Sequence, residues 1–222
     1  KHDFKDSKKE VIRLEKENPL VSIITPCYNG ENVMHRLLDS ILSQTYSNIE
    51  FILINDGSTD HSEEIWYQYE KKFNEKGIKT IYIHQRNQGL GAAINAGLKV
   101  FTGDYLCWPD IDDYFEDTSV EKRVNFLETH KEYGSVSSDA NQYMEDNLSE
   151  PVGTMASWLK HKEDEWQFEW LLKGQSLFCS GCHMLRTTSF LDVNPDRYIY
   201  PARRGQNNQM LLPIYYKYKW FL

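Results

Sequence analysis

The sequence lacks two features that would place it in other classes of protein. No apolar run approaches the ~18 to 20 residues of a membrane span, so no transmembrane helix is predicted. The net charge is -8 and no block of basic residues occurs, which argues against binding along a nucleic-acid backbone. With 222 residues, 40% of them hydrophobic and 26% charged, the chain has the composition of a globular domain with a substantial core.

Cysteine is also scarce, with residues only at positions 27, 107, 179 and 182. Cys179 and Cys182 have C-x-x-C spacing, but the sequence has no second such pair and no nearby Cys/His pair that would complete a zinc site. We therefore predict buried thiols in a reducing cytosol. We expect a cytoplasmic protein, with partners as the route of any membrane association.

Apolar patterning in the first half predicts strands alternating with helices. The predicted strands cover 20–25, 49–54, 80–84 and 105–108, and the helices cover 31–43, a segment after Asp60, and 90–100. Four strands alternating with helices are typical of an α/β fold with a mostly parallel central sheet between helices. The pattern is weaker beyond Asp117, where we predict helices to 130, around 162–172, at 187–192 and at 206–218 with an interruption at Pro213, and strands at 134–138 and 176–185.

A polar turn follows each of the four predicted strands. The turns are 26–30 (P-C-Y-N-G), 56–60 (D-G-S-T-D), 87–91 (N-Q-G-L-G) and 110–113 (D-I-D-D). Because the carboxyl ends of parallel strands meet at one edge of a sheet, where ligands of such sheets bind, we expect the four turns to form one site.

The fourth turn concentrates negative charge, with Asp110, Asp112 and Asp113 within four positions. Like charges at that spacing repel, which indicates a bound cation. Hard oxygen ligands suit Mg²⁺ or Mn²⁺, which usually complete their shell with water and substrate phosphates. The alternative is a simple turn in which Asp113 or Asp117 caps the next helix.

In order, spacing and residue identity, the four blocks resemble those of family 2 glycosyltransferases with the A-type fold, over roughly residues 20 to 140. The resemblance implies a metal-dependent enzyme that moves a hexose or N-acetylhexosamine from a nucleoside-diphosphate donor, UDP by family frequency, with inversion of the anomeric centre. It implies a bacterial surface glycan or glycoprotein as acceptor, and hence cell-surface glycan biosynthesis or protein glycosylation.

The resemblance also assigns roles to residues. The first two blocks would hold base and ribose, and the D-x-D-D block would reach ribose and metal. The implied nucleotide contacts are Thr25, Pro26, Tyr28, Asn29, Asp56, Gly57, Ser58, Asn87, Gly89, Asp110 and Asp112, and the implied metal ligands are Asp112 and Asp113.

The third block is also similar to a dinucleotide-binding fingerprint, but the third glycine of that motif is replaced by Ile94. The family commonly has Arg at that position, so its contribution is expected to be absent or supplied elsewhere. We interpret Gly89 and Gly91 as permitting close packing of the following helix on the sheet.

The chain departs from the family in its second half. Family members usually carry a G-E-D-like element whose acid deprotonates the acceptor, whereas the corresponding stretch, 205–213, begins G-Q-N-N-Q, resembling a G-Q-N-x-Q branch of bacterial surface-glycan enzymes. An amide cannot act as a base at neutral pH. Either another residue takes the proton, with Asp139 preferred because it follows the fifth strand, or Gln206 and Asn207 only orient the acceptor. The other candidate bases are Asp192, Asp196 and His183.

Several alternatives remain open at this stage. His183 is interpreted as a packed core histidine rather than a ligand. Trp158, Trp166 and Trp170 form either an acceptor platform or part of the core. The missing acid also permits a nucleotide-sugar-binding module without its own transfer activity. A nucleotidyltransferase is disfavoured, because the turn at 26–30 carries no basic residue.

We expect two segments in the chain. Residues 1–18 form a charged helical segment that contacts the core, a second subunit of a homo-oligomer, or an upstream domain. Residues 19–222 form one catalytic domain, with 19–115 as the nucleotide-binding half and 116–222 as the acceptor-binding half.

Overall fold

The structure, a computed structural model, describes residues 18–144, 146–202 and 204–222, so nearly all of the predicted N-terminal helical segment lies outside the described residues. The strands are β1 Val21–Cys27, β2 Ile49–Asn55, β3 Lys79–His84, β4 Tyr105–Cys107, β5 Tyr133–Ser137, β6 Asn141–Gln142, β7 Gly153–Thr154, β8 His183–Arg186 and β9 Lys219–Phe221. The α-helices are α1 Met34–Leu42, α2 Ser62–Glu75, α3 Leu90–Val100, α4 Ser119–Thr129, α5 Phe168–Leu172, α6 Thr187–Val193 and α7 Gln206–Lys217.

A seven-stranded sheet forms the centre of the fold, in the order β3-β2-β1-β4-β8-β5-β9. The pairs among β3, β2, β1 and β4 are parallel, and so is β5 with β9. β8 alone runs antiparallel to its neighbours in this sheet as described. The predicted α/β fold with a mostly parallel sheet is therefore confirmed.

Both faces of the sheet are covered by helices, because its central strands are mostly apolar and buried. Every residue of β1 and β2 is buried, as expected for strands enclosed on both sides. One core cluster contains the apolar faces of α1, α2 and α4, and the other contains those of α3, α6 and α7. Within the described residues, no helix is long and apolar enough to cross a membrane.

A buried carboxylate joins the strands near the amino ends of the parallel sheet. Glu50 is fully buried in β2 and accepts hydrogen bonds from Ser22 (2.5 Å), Lys79 (2.9 Å) and the hydroxyl of Thr102 (2.9 Å). Burial alone would raise the pKa of Glu50, but these hydrogen bonds outweigh it and hold the pKa below its ordinary value. Hydrogen bonds to Glu50 thus satisfy the buried polar groups near the amino end of the sheet.

The second half differs from the sequence prediction in five places. The strand predicted at 176–185 is wrong, because a 3₁₀ turn at Ser180–Cys182 leads into the short β8. Pro213 does not interrupt α7, and the helix around 162–172 shrinks to α5. The hairpin of β6 with β7 and the edge strand β9 were not predicted, since strands of two or three residues have too few positions to show a period.

Candidate active site

The four polar turns lie together at the carboxyl edge of the parallel strands, as predicted. The first and second turns are joined by Asn29, whose backbone N–H donates to the Ser58 hydroxyl (3.0 Å) and whose side-chain oxygen accepts from the Thr59 N–H (2.8 Å). The first turn also touches the fourth, since a Cβ on Gly30 would stand 3.3 Å from the Ile111 side chain.

The second and third turns are joined by Asp56, which is only 3% exposed. Its carboxylate accepts the backbone N–H groups of Gln88 (2.9 Å) and Gly89 (2.8 Å) and the side-chain amide of Gln85 (2.7 Å). Asp56 therefore fixes the backbone of the third turn. Its predicted contact with the nucleobase would use the carboxylate lone pairs that these hydrogen bonds leave free.

Glycine is required at the second turn. Gly57 has a φ of 73°, and a Cβ placed there would lie 2.7 Å from the backbone nitrogen of Asn87. Gly89 also has a positive φ, of 86°, but Gly91 meets Pro201, with only 2.8 Å between a built Cβ and the Pro201 Cα. The interpretation that Gly89 and Gly91 permit helix-to-sheet packing is therefore wrong. Gly89 allows the backbone conformation of the turn, and Gly91 leaves room for the loop that contains Pro201.

The residues of the first turn differ in what they offer to a ligand. Thr25 and Pro26 are buried within β1, and the Thr25 hydroxyl has no hydrogen-bond partner among the described residues. Tyr28 is 53% exposed, and Asn29 is exposed with a φ of 52°. Tyr28 and Asn29 therefore provide the accessible side-chain surface of this turn.

The three carboxylates of the fourth turn have different environments. Asp110 accepts a hydrogen bond from the Ser180 hydroxyl (2.7 Å), and Asp113 accepts the Asp110 N–H (3.3 Å). Asp113 also lies against Gly181, where an added Cβ would stand 2.8 Å from its carboxylate oxygen. Asp112 is exposed. The chain thus fixes two carboxylates and leaves the third toward solvent.

Charge crowding perturbs this cluster. Burial, together with the negative charges of Asp110 and Asp112, raises the pKa of Asp113 to about 6. Burial and the Asp112 charge likewise raise the pKa of Asp110, although the Ser180 hydrogen bond opposes them. Carboxylates held together against their own repulsion are the donor set that a divalent cation stabilises.

These residues fit a cation that is shared with a ligand. No group of three or more His, Cys, Asp or Glu side chains in the described part of the chain is arranged to hold a metal by itself. Mg²⁺ and Mn²⁺ commonly bind one or two carboxylates and take their other ligands from phosphates and water. Asp112 and Asp113 fit that role, with Asp110 supporting them through the turn.

A crevice of about 700 Å³ opens beside Asp112 and Asp113. Its walls come from the start of α1, the loop 112–116, the start of α4, the β6–β7 hairpin and the C-x-x-C turn. Of the four candidate bases, Asp139 is the one that lines it. One oxygen of Asp139 accepts the N–H groups of Ala140 (2.8 Å) and Ala156 (2.7 Å), which fixes the carboxylate at the root of the hairpin.

The other candidate bases lie elsewhere. His183 is 0% exposed, bonds to Ser137 (2.6 Å) and stacks on Trp108, and burial lowers its pKa to about 3, so its interpretation as a core histidine is confirmed. Asp192 forms an ion pair with Lys217 (2.5 Å), and Asp196 is exposed without lining the crevice.

The first two amides of the G-Q-N-N-Q element, Gln206 and Asn207, are tied to neighbouring segments. Gln206 is buried and its side-chain NH₂ donates to the Ala202 carbonyl (2.5 Å). Asn207 accepts from the Trp108 indole (3.0 Å) and donates to the Phe178 carbonyl (2.8 Å), so it joins the end of β4 to the segment before the C-x-x-C turn. In this arrangement both side chains serve the architecture of the site.

Two of the four cysteines line the crevice, whereas the clustered tryptophans lie away from it. All four cysteines are free thiols, and Cys179 and Cys182 line the crevice. Trp166 and Trp170 line a separate cleft with Tyr215 and Tyr216, and none of the three clustered tryptophans lines the crevice.

Sequence reasoning missed the side chains that surround the crevice. Arg36, Lys122 and Tyr143 line it, but each is isolated in sequence and belongs to no motif. Tyr114 also lines it and directly follows Asp113, but it carries no recognised role in the motif. Ser180, which holds Asp110, follows the turn by 70 positions. Only the fold brings these groups together.

Comparison with known proteins agrees with this geometry. The model of the family "Glycosyl transferase family 2" matches residues 22–193. The chain is 44% identical over 110 residues to "Uncharacterized glycosyltransferase RP339" of Rickettsia prowazekii, covering 50% of the chain and 32% of that protein. It is 46% identical over 101 residues to "Glycosyltransferase GlyA" of Streptococcus pneumoniae, covering 46% of the chain and 14% of that protein. The matches thus span about a third or less of the length of these curated relatives.

Solved structures share the fold at low sequence identity. S. aureus TarS 1-349 in complex with UDP-GlcNAc superimposes with a TM-score of 0.68 at 18% identity, over 91% of the chain and 56% of that structure. Mannosyltransferase PcManGT from Pyrobaculum calidifontis, in complex with GDP-Man and Mn2+, gives 0.65 at 15% identity, over 92% and 54%. From the family match over residues 22–193, the chain belongs to glycosyltransferase family 2.

Proposed function

We propose that the chain is the catalytic domain of a metal-dependent, inverting glycosyltransferase. It takes a hexose or N-acetylhexosamine from a UDP-sugar and gives it to a bacterial surface glycan or a glycoprotein. The observation that carries the proposal is the crowded carboxylate cluster, Asp110 to Asp113, at the edge where the four turns converge and beside an open crevice.

The donor is assigned to the four turns. Tyr28 and Asn29 offer exposed surface for base and ribose, and Asp56 holds the backbone of the third turn in place. UDP is preferred because TarS is described with UDP and with UDP-GlcNAc, whereas PcManGT is described with GDP-Man. A cation at Asp112 and Asp113 would offset the negative charge that gathers on the leaving diphosphate.

The acceptor is assigned to the crevice. In a single displacement, the acceptor hydroxyl attacks the anomeric carbon, the bond from that carbon to the diphosphate breaks, and the hydroxyl proton passes to a base. Asp139 is assigned this role, because one of its oxygens is held by two backbone N–H groups while the carboxylate lines the crevice. Gln206 and Asn207 are assigned to positioning, since amides cannot take the proton.

The alternative is a nucleotide-sugar-binding module without transfer activity, and the amides in the G-Q-N-N-Q element favour it. The two are separated by measuring UDP release from a panel of UDP-sugars with Mn²⁺, with and without glycan acceptors. UDP release that needs Mn²⁺ and rises with acceptor supports the transferase. Tight UDP binding with no release from any sugar nucleotide supports the binding module.

A further inference from the structure

We propose that the crevice beside the carboxylates recognises an anionic group on the acceptor, a phosphate or a carboxylate, through Arg36 and Lys122. The inference rests on the proposed function, since it names the class of acceptor for that same site. The acceptor would be a saccharide whose negative charge lies against α1 and α4 while its reacting hydroxyl faces Asp139.

Two basic side chains stand on one wall of the crevice. Arg36 comes from α1 and Lys122 from α4, and both line the crevice. In the described part of the chain, neither forms an ion pair. The Nε of Arg36 is buried with no hydrogen-bond acceptor in reach there. A buried donor without an acceptor is unfavourable, and an anionic ligand at the Arg36 guanidinium would offset this.

The wall is rigid because α1 and the segment before α4 are bonded to each other. Ser40 accepts the Phe115 N–H (3.0 Å), and Gln44 accepts the Val120 N–H (3.1 Å) while donating to the Glu116 carbonyl (2.9 Å). The backbones carrying Arg36 and Lys122 are therefore held at a fixed separation before any ligand arrives. Such preorganisation lowers the entropy cost of binding.

The positions of the Arg36 and Lys122 side chains restrict where an anionic ligand can bind in the crevice. Asp112, Asp113, Glu116 and Asp139 also line the crevice, so negative groups outnumber positive ones there. An anion would be repelled from most of the crevice and accepted at the wall of α1 and α4, where Thr118 and Ser119 stand at the positive end of the α4 dipole. Charge therefore orients the acceptor as well as selecting it.

A surface for the sugar ring adjoins this wall. Tyr114 is 44% exposed, and its ring centre lies 6.2 Å from that of Tyr143, at an interplanar angle of 35°. Aromatic faces with polar tips suit saccharides, which have apolar faces and polar edges. A volume of about 700 Å³ leaves room for more than a charged group alone.

The test is calorimetric binding to the whole chain with UDP and Mn²⁺ present, using chitotetraose, chitotetraose 6-phosphate and a hyaluronan tetrasaccharide. These probes are neutral, phosphorylated and carboxylated. The variants are Arg36→Gln, Lys122→Gln and the charge-preserving Arg36→Lys, with Lys71→Gln, an exposed change on α2, as control. Thermal unfolding and UDP affinity are measured for each variant.

We expect at least one anionic probe to bind about tenfold more tightly than chitotetraose, and whichever binds better identifies phosphate or carboxylate as the group. Arg36→Gln and Lys122→Gln should each weaken that probe about tenfold, Arg36→Lys should recover part of the loss, and Lys71→Gln should change nothing. Equal affinity for all three probes, or equal losses across them, would overturn the inference. If the charge dependence holds but no UDP-sugar is ever consumed, the proposed transfer fails while the anionic site stands.

Discussion

The chain up to residue 115 and the chain beyond it are built in different ways. We assign nucleotide binding to the first half and acceptor binding to the second. In the first half, parallel strands end in short turns that bond to one another through Asn29 and Asp56. In the second half, the strands have two to five residues and the crevice is closed by a hairpin, a 3₁₀ turn and loops. In the first half, side chains of one turn bond the backbone of the adjacent turn, whereas in the second half the contacts join segments that are scattered along the chain.

This difference suggests a division of work. Nucleotides present the same base, ribose and diphosphate to every enzyme that uses them, so a regular edge with fixed turns suits them. Acceptors vary, and loops on a rigid scaffold are where such variation is tolerated. Substitutions in the two halves should therefore separate donor binding from acceptor use.

The largest effect is expected from the carboxylates between the halves. Asp112→Asn and Asp113→Asn should each lower transfer about 10²- to 10³-fold, because charge on the leaving diphosphate loses its support. The measurement is UDP release with metal-stripped enzyme after Mn²⁺ is restored. Asp196→Asn, an exposed change away from the crevice, is the control, and normal turnover by both test variants would count against the assignment.

Asp139→Asn should lower the rate constant for transfer about 10²-fold, because the substituted amide keeps its backbone contacts but cannot take a proton. UDP affinity should stay within twofold, since the residue belongs to the acceptor-binding half. The measurement pairs steady-state kinetics with UDP calorimetry. Normal turnover by the variant would remove Asp139 from the mechanism. A selective loss of UDP binding would instead place Asp139 in the nucleotide-binding half.

The sequence predicts the first half well for a physical reason. The seven consecutive buried positions of β1 and of β2 are mostly apolar, and each turn carries polar residues at the point where its strand ends. Local pattern and tertiary role therefore coincide there. The convergence of the turns then follows from the parallel topology alone.

The second half could not be predicted to the same degree because its contacts are distant in sequence. Asn207 holds Trp108 across 99 positions, and Ser180 holds Asp110 across 70. Pro213 lies inside a continuous helix although its local preference opposes that. Arg36 and Lys122 line the same crevice only because the fold packs α1 and α4 together.

A loss of stability is expected for Asp56→Asn, a substitution in the half to which we assign donor binding. An amide can accept one of the N–H groups of Gln88 and Gly89, but its NH₂ cannot accept the other, so one donor is left unpaired. We expect a loss of about 1 to 3 kcal/mol in the free energy of unfolding and weaker UDP binding. Urea unfolding with the Asp196→Asn control measures it, and an unchanged midpoint would contradict the role given to Asp56.

The smallest effect is expected from pH. The folded pKa of Asp113 is raised from 3.8 to about 6, so the folded state binds the proton more tightly and this group's contribution to stability is lost as the pH rises through that window. A cation competes with that proton. The increase in melting temperature given by Mn²⁺ should therefore be larger at pH 8 than at pH 5.5, and Asp113→Asn should reduce the difference.

The most direct test is a calorimetric titration of UDP into the wild-type chain and the Asp112→Asn and Asp113→Asn variants, each with and without Mn²⁺. If these carboxylates hold a cation that binds the diphosphate, Mn²⁺ will tighten UDP binding at least about tenfold in the wild type and have little effect in the variants. Equal tightening by Mn²⁺ in all three proteins would contradict the account.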